Sequence, residues 1–464
     1  MVKAPKRQCS RRMIIERIII LTASIILLYL LVSLYFVNHY FFHTMINGVN
    51  LSLKAHGETD RIIEDFVKDY KLQLIERNGD TEDLSGHAAG MKYRSQKGIL
   101  QIKRKQHAIC WIFSLLGGEN YYRKDLFGYN RTKLQEAVMD LNCMKKEIQE
   151  PCNVGFQYTD GAYGLVREEY GNKINKDRLT QAILSSLQRG KAKLVLEDKL
   201  CYINPKYTLS SVKTPITRSL LNKYVSTDIT YRFGNAAERL EGSTINHWLR
   251  VDKNLEVEIS MTEIKSYVKT LSSKYDTVGH TRSFKSSLGK TMEIKGGLYG
   301  WKIDQEAEAK ALYENIRLGE VLEKEPVYQQ RALYRGEDEI GNTYVEINIT
   351  KQHLWFYKNG KLVVHGSVVT GNPNRGNSTV VGTYMLTYKQ KDATLKGPGY
   401  EAKVTYWMPF YGNIGIHDAS WRNSFGGEIY KRNGTHGCIN APLYLAKKIY
   451  ENIEEGIPII SYEE

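Results

Sequence analysis

The chain is poor in proline, poor in cysteine and without any nucleic-acid-binding motif. Ten prolines in 464 residues, spread singly, leave no proline-rich spacer. Of six cysteines no two stand in a C-x-x-C arrangement, which excludes a zinc knuckle. The string Gly371-Asn372-Pro373-Asn374-Arg375-Gly376 reads as a turn, not a phosphate loop. A net charge of +14 and a pI near 9.2 would suit nucleic acid, a membrane face or an anionic polymer. With no RNA- or DNA-binding motif, nucleic acid is set aside as a partner. A solvated lysine-rich surface or, for an exported chain, an anionic cell envelope remains.

What is present begins with one long apolar run. Residues 1–17 carry Lys3, Lys6, Arg7, Arg11, Arg12 and Arg17 against Glu16 alone, and residues 18–37 hold no charge. Twenty residues at about 1.5 Å each span roughly 30 Å, one hydrocarbon core. The next basic residue is Lys54. The asymmetry predicts a cytoplasmic basic segment 1–17, a transmembrane helix 18–37 and the bulk of the chain outside. Tyr40, Phe41 and Phe42 suit an interfacial belt. The run is longer than a usual signal-peptide core and no small-x-small cleavage site follows, so an uncleaved single-pass anchor in the cell membrane is expected.

The remaining length exceeds what one core organises, so about three domains are expected in all. Asp60 to Tyr70 places Ile62, Ile63, Phe66 and Val67 at helical spacing, and Tyr70-Lys-Leu-Gln-Leu-Ile-Glu-Arg77 then alternates as a strand up to a turn at Asn78-Gly79. Residues 110–150 predict a helical pair with Leu134, Ala137, Val138 and Leu141 on one face. A repeat follows. Gly171-Asn-Lys-Ile-Asn175 opens a helix running to about Arg189, and Gly300-Trp-Lys-Ile-Asp304 opens another ending near Leu318-Gly319. Asn175 and Asp304 are suitable N-caps. Two related α+β units are read, 44–215 and 216–337. Cys110, Cys143, Cys152 and Cys201 fall in the first and could form up to two disulfides or stay buried free thiols.

From Asn342 the pattern turns to short strands: Tyr344 to Ile349, Leu354 to Tyr357 and Leu362 to His365 around an Asn359-Gly360 turn, then 367–371 and 382–388. Leu443 to Ile453 reads as the one helix here, and Ile457 to Tyr462 as a closing strand. A mostly-β, sandwich-like domain over 338–464 is expected.

The chemistry gathers in Thr435-His436-Gly437-Cys438-Ile439-Asn440 and, upstream, Gly415-Ile416-His417-Asp418. Cys438 has no other cysteine within 200 residues, which argues for a free, reactive thiol. A thiol with two imidazoles nearby can perform acyl transfer: the sulfur attacks a carbonyl, an imidazole moves protons, and backbone N–H groups hold the oxyanion. No carboxylate or second-thiol spacing supports a metal, so neither metal nor cofactor is expected. His353 and His365 sit in strand patterns and read as structural. Trp407, Tyr411 and Trp421 flank His417 and could line a substrate groove or pack in the core.

A histidine, a 17-residue gap, then Ser/Thr-His-Gly-Cys-apolar-Asn resembles the signature of L,D-transpeptidases of the YkuD type, with Thr435 where serine is commoner. The stretch Ile46-Asn-Gly-Val-Asn50, helix, strand is similar, more loosely, to the peptidoglycan-binding domain often found before such catalytic domains. The resemblance implies a mostly-β catalytic domain with Cys438 as nucleophile and His417 as the activating base, its ring oriented by the backbone carbonyl of Asp418. It implies an auxiliary role for His436 on the oxyanion or acceptor side, and an oxyanion hole that includes the Gly437 backbone. Thr435 and Asn440 would hold the loop. The implied reaction opens a donor stem tetrapeptide at the carbonyl of its third residue, forms a thioester, and passes the acyl group to an amine on a neighbouring stem, a 3→3 cross-link of peptidoglycan. β-Lactams, carbapenems above all, would acylate the same sulfur. Water as acceptor would make an L,D-carboxypeptidase. A non-catalytic wall-binding protein and a cysteine protease of another fold are the other readings.

Overall fold

The computed structural model describes residues 8–94, 97–397 and 400–464. The first seven residues of the expected basic segment 1–17 lie outside them. Contacts divide the chain into two compact units, Met1–Gly155 with Val166–Ser211, and Phe156–Leu165 with Val212–Glu464.

The first unit opens with helix α1 (Gln8–Asn38). Its stretch Arg11–Asn38 is, among the described residues, the one helix long and apolar enough to cross a membrane. The unit then builds a small layered fold. Helix α2 (Thr59–Asp69) precedes strands β1 (Lys71–Ile75) and β2 (Thr81–Ser85), which pair antiparallel around the Gly79 turn. Helix α3 (Lys97–Lys105) leads into a 3₁₀ segment, Ala108–Leu115, and helix α4 (Arg131–Asp140) follows. Over 110–150, where a helical pair is expected, the chain forms that 3₁₀ run and two α-helices, Arg131–Asp140 and the four-residue Asn142–Lys145; Ile109 to Leu116 are apolar without the 3.6-residue period an α-helix needs. Helix α5 (Lys176–Arg189) returns the chain to β3 (Lys193–Val195), which lies parallel to β1, giving the order β3-β1-β2. Leu72, Leu74, Ile63, Leu179 and Ile183 fill the core between helices and sheet. Cys143 and Cys201 are buried and Cys110 and Cys152 exposed, all four as free thiols.

The second unit repeats the plan. Helix α6 (Lys213–Val225) precedes the hairpin β4 (Asp228–Phe233) and β5 (Ala236–Leu240). Helix α7 (Met261–Tyr275) intervenes, and α8 (Gln305–Leu318) leads to β6 (Val321–Lys324), parallel to β4, in the order β5-β4-β6. The caps match too. The Asn175 side chain accepts from Arg178 N, and that of Asp304 from Ala307 N, while Gly190 and Gly319 end their helices in the left-handed region that favours glycine.

The rest of the second unit is β-rich. One sheet of five runs β9-β8-β7-β15-β10: β7 (Tyr344–Asn348), β8 (His353–Lys358), β9 (Lys361–Ser367), β10 (Gly382–Met385) and β15 (Pro458–Tyr462). The other, of four, runs β11 (Gln390–Gly397), β12 (Tyr400–Tyr411), β13 (Ile414–Asp418) and β14 (Ile439–Ala441). Val345, Ile347, Leu354 and Phe356 of the first sheet meet Met408, Phe410, Ile416 and Ile439 of the second, with Leu445 and Ile449 of helix α9 (Leu443–Asn452), in one core. A five-residue helix, Ile429–Asn433, stands where no helix was expected.

Candidate active site

Strand β13 is the floor of the site. It pairs antiparallel with β12, Trp407 opposite His417, and parallel with β14, His417 opposite Asn440. The edge strand β14 enters directly from the 434–438 turn, so the pairing brings two distant segments together. His417 is 4% exposed, and its Nδ1 lies 2.8 Å from the Asp418 carbonyl oxygen. Since that oxygen only accepts, Nδ1 carries the proton and Nε2 is left as the basic nitrogen. Burial holds the imidazole below its usual value, with the Asp418 carbonyl opposing and Arg422 adding slightly, so the ring is neutral at neutral pH.

Cys438 is half-buried. Its Sγ lies 3.4 Å from the Asn413 carbonyl oxygen, and burial pushes the thiol up to about 11, opposed by the Gly415 N–H. Leu395, Ala393, Val404 and Trp407 supply the apolar surroundings. The turn that presents it is held from within by Thr435 and from outside by Thr379. Thr435 Oγ1 donates to the Cys438 carbonyl at 2.6 Å and accepts from Gly437 N at 3.0 Å. Thr379 Oγ1 donates to the Gly437 carbonyl at 2.7 Å. Gly437 has φ +118°, and a Cβ there would stand 2.9 Å from Ile414 Cδ1, so any side chain would be strained and would press on Ile414. Asn440 pairs with Val369 through both backbone groups, fixing the loop from below. The Cys438 N–H donates to no acceptor among the described residues.

Cys438 and His417 line one cavity of about 500 Å³ with Thr435, His436, Trp421 and Arg422. The β11–β12 hairpin forms its opposite wall through Leu395, Glu401, Ala402 and Lys403. Trp421 is half exposed, its ring 6.0 Å from that of His417. Trp407 is 5% exposed and packs 5.9 Å from the His417 ring in the core, and Tyr411 lies against Tyr384, away from the cavity. His436 is exposed at the rim. Arg422 carries no signal in the sequence beyond following Trp421. Its Nε is buried with no hydrogen-bond partner among the described residues, and burial lowers its guanidinium value. No group of three or more His, Cys, Asp or Glu side chains able to hold a metal occurs among the described residues.

The YkuD model, described as the L,D-transpeptidase catalytic domain, matches residues 342–460. A model described as "Putative peptidoglycan binding domain" matches residues 122–195 and 207–321. Among solved structures, a mutant of the Enterococcus faecium L,D-transpeptidase is 31% identical, over 53% of this chain and 98% of that one, with a TM-score of 0.43. The Ldtfm–avibactam carbamoyl enzyme is 30% identical, over 55% and 100%, with a TM-score of 0.44. The catalytic domain of the E. faecium enzyme acylated by ertapenem is 38% identical, over 26% and 97%, with a TM-score of 0.25. No curated protein matches the sequence.

Proposed function

Because this chain belongs to the L,D-transpeptidases built on a YkuD catalytic domain, and is thereby an acyltransferase of peptidoglycan, we propose the following roles for its own residues. The His417 Nε2 takes the Cys438 proton as Sγ attacks the carbonyl of the third residue of a donor stem tetrapeptide. The Cys438 N–H receives the oxyanion. The Gly437 N–H, engaged by Thr435 in the resting enzyme, joins it only if that bond is exchanged. Collapse breaks the bond to the terminal D-alanine, which leaves as an amine carrying the proton from His417, and a thioester remains. An acceptor-stem amine then attacks the thioester, loses its proton to His417, and returns the sulfur as a thiol. His436 serves the acceptor side, Trp421 packs on the stem, and Arg422, on the cavity wall, offers its guanidinium to a donor oxygen.

The observation that carries this reading is the pairing of a buried, neutral imidazole, its tautomer fixed by Asp418, with a thiol on the wall of one cavity. The resting state is thus thiol and imidazole rather than thiolate and imidazolium, so His417 acts as a general base during attack. The ertapenem adduct of the E. faecium catalytic domain supports carbapenems as acylating inhibitors here. Intact-protein mass spectrometry after carbapenem exposure, with the adduct mapped, tests the assignment: a single adduct on Cys438 is expected, and one elsewhere overturns it. Incubation with tetrapeptide should give cross-linked dimer; shortened monomer alone would make the enzyme an L,D-carboxypeptidase.

The domain limits 44–215, 216–337 and 338–464 are proposed with two wall-associated units ahead of the catalytic domain. They are supported by the matching topology of the two α+β units. We also infer that α1 anchors the chain with residues 1–17 in the cytoplasm and the catalytic domain at the wall, supported by the length of α1 and the charge asymmetry around it.

A further inference from the structure

Ala108–Leu115, with Leu116 after it, reads Ala-Ile-Cys-Trp-Ile-Phe-Ser-Leu-Leu. Its outward side chains are bare: Ile109 is 65%, Phe113 72% and Leu116 92% exposed. So contiguous an apolar patch marks an interaction surface. Its inner side packs along α1. The Tyr29 hydroxyl donates to the Ile109 carbonyl, and the Trp111 ring lies 5.5 Å from that of Tyr29 and 5.9 Å from that of Phe36. On α1, Ser33 and Phe36 are buried, whereas Leu30, Leu31, Leu34 and Val37 stay exposed.

The depth of the segment can be read along α1. Lys103 Nζ donates to the Phe36 carbonyl at 2.8 Å, a cation at the C-terminal end of the helix. Arg104, Lys105 and His107 follow it in sequence. Ile109 meets α1 at Tyr29, seven residues and so roughly 10 Å nearer the helix N-terminus. Lys103 therefore stands level with the helix end while the backbone at Ile109 lies deeper, the layout of an element entering a bilayer interface. The segment satisfies part of its own backbone, as hydrocarbon requires of an embedded element. Cys110 N donates to the His107 carbonyl at 2.7 Å, Leu116 N to that of Phe113 at 3.3 Å, and Ser114 Oγ to that of Trp111 at 2.6 Å. Beside it Leu31, Val32, Tyr35, Phe36, Phe42 and Leu53 line a shallow, open apolar groove of about 420 Å³ on the flank of α1, suited to an acyl chain.

We propose that residues 108–116 are embedded in the bilayer leaflet at the C-terminal end of α1, as a second membrane contact that holds the first unit on the membrane surface. The occupant of the bare face is lipid. The proposal rests on the reading of α1 as a membrane span, and the test separates the two.

The full chain, reconstituted into phosphatidylcholine–phosphatidylglycerol vesicles, would carry an environment-sensitive fluorophore at a single thiol. The first position is Leu116→Cys with Cys9→Ser, Cys110→Ser, Cys152→Ser and Cys438→Ser. The second is native Cys110, exposed on the same segment, with the other three replaced. Leu27→Cys on α1 and native Cys152 serve as references. At Cys110 and Leu116→Cys, nitroxide lipid should quench several-fold more strongly than iodide, as at Leu27→Cys, with the reverse at Cys152. Lipid quenching at Leu27→Cys with iodide quenching at both segment positions overturns the proposal and leaves the anchor standing. Iodide quenching at Leu27→Cys overturns the anchor reading itself. Protection of the segment from both quenchers would put a second copy or another protein there and equally overturn the lipid assignment.

Discussion

Two regions of this molecule hold a thiol that burial pushes up to about 11, and only one of them is equipped for chemistry. Cys201 sits in the core of the first unit, fully buried, its carbonyl held at 2.7 Å by Asn175 N. Cys438 has its carbonyl held at 2.6 Å by Thr435 Oγ1, yet its sulfur reaches a cavity shared with His417. Equal acidity with unequal setting shows that a low thiol value is not what marks the nucleophile here. Access and a neutral base beside it do, because the base can remove the proton as the bond forms.

The largest expected contrast is between alanine substitutions. Cys438→Ala should lower cross-linked dimer formation by at least about 10³-fold with the thermal unfolding midpoint little changed. Cys201→Ala should keep the activity and lose about 1–2 kcal/mol of stability, read by denaturant unfolding. If the two variants lost activity equally, the distinction between the regions would be gone.

Next in size is the base. His417→Ala should reduce turnover by roughly 10²–10⁴-fold, the usual contribution of a placed proton acceptor. Mild loss would shift the role to His436. The pH profile sharpens the same point. His417 titrates below the ordinary imidazole value, so the acid limb of kcat/KM should fall below about pH 6.5. Without substrate, iodoacetamide alkylation of Cys438 should keep rising toward about pH 11. A plateau of alkylation at neutral pH would mean a preformed ion pair.

At Cys201 the same raised value acts on stability instead. An unfolded thiol ionises near about pH 8.5 while the folded one holds its proton to about 11. Its contribution is therefore complete below the first value and lost as pH rises to the second, up to about 3 kcal/mol. The fall in unfolding free energy between those pH values should be shallower in Cys201→Ala than in the parent chain.

Much of the catalytic region was legible because its chemistry is written in contiguous residues: Thr435 to Asn440, and His417 with Asp418. The repeat was legible for a similar reason, since caps such as Asn175 and Asp304 act within one helical turn. What the string could not reveal depends on distant pairing. The β11–β12 hairpin becomes a wall of the cavity only once β12 has paired with β13. Trp407 and Tyr411 look equivalent by strand alternation, but a bulge at Pro409–Tyr411 breaks the register, and Tyr411 packs on Tyr384. The apolar run 108–116 has no helical period to betray its 3₁₀ form, and only its contact with α1 gives it a meaning.

The smallest expected effect concerns how each cysteine carbonyl is held. At Cys201 the donor is a backbone N–H, so side-chain substitution leaves it in place. At Cys438 the donor is a side chain that also receives the Gly437 N–H. Thr435→Ser keeps the hydroxyl and should stay within a few-fold of the parent in kcat. Thr435→Val keeps the shape and removes both bonds, each worth about 1 kcal/mol net. The turn carrying Cys438 would then be free to relax, and kcat should fall about 10-fold with KM and the unfolding midpoint nearly unchanged. Equal values for the serine and valine variants would show that the turn is positioned by Gly437, its bond from Thr379 and the Val369–Asn440 pairing without Thr435.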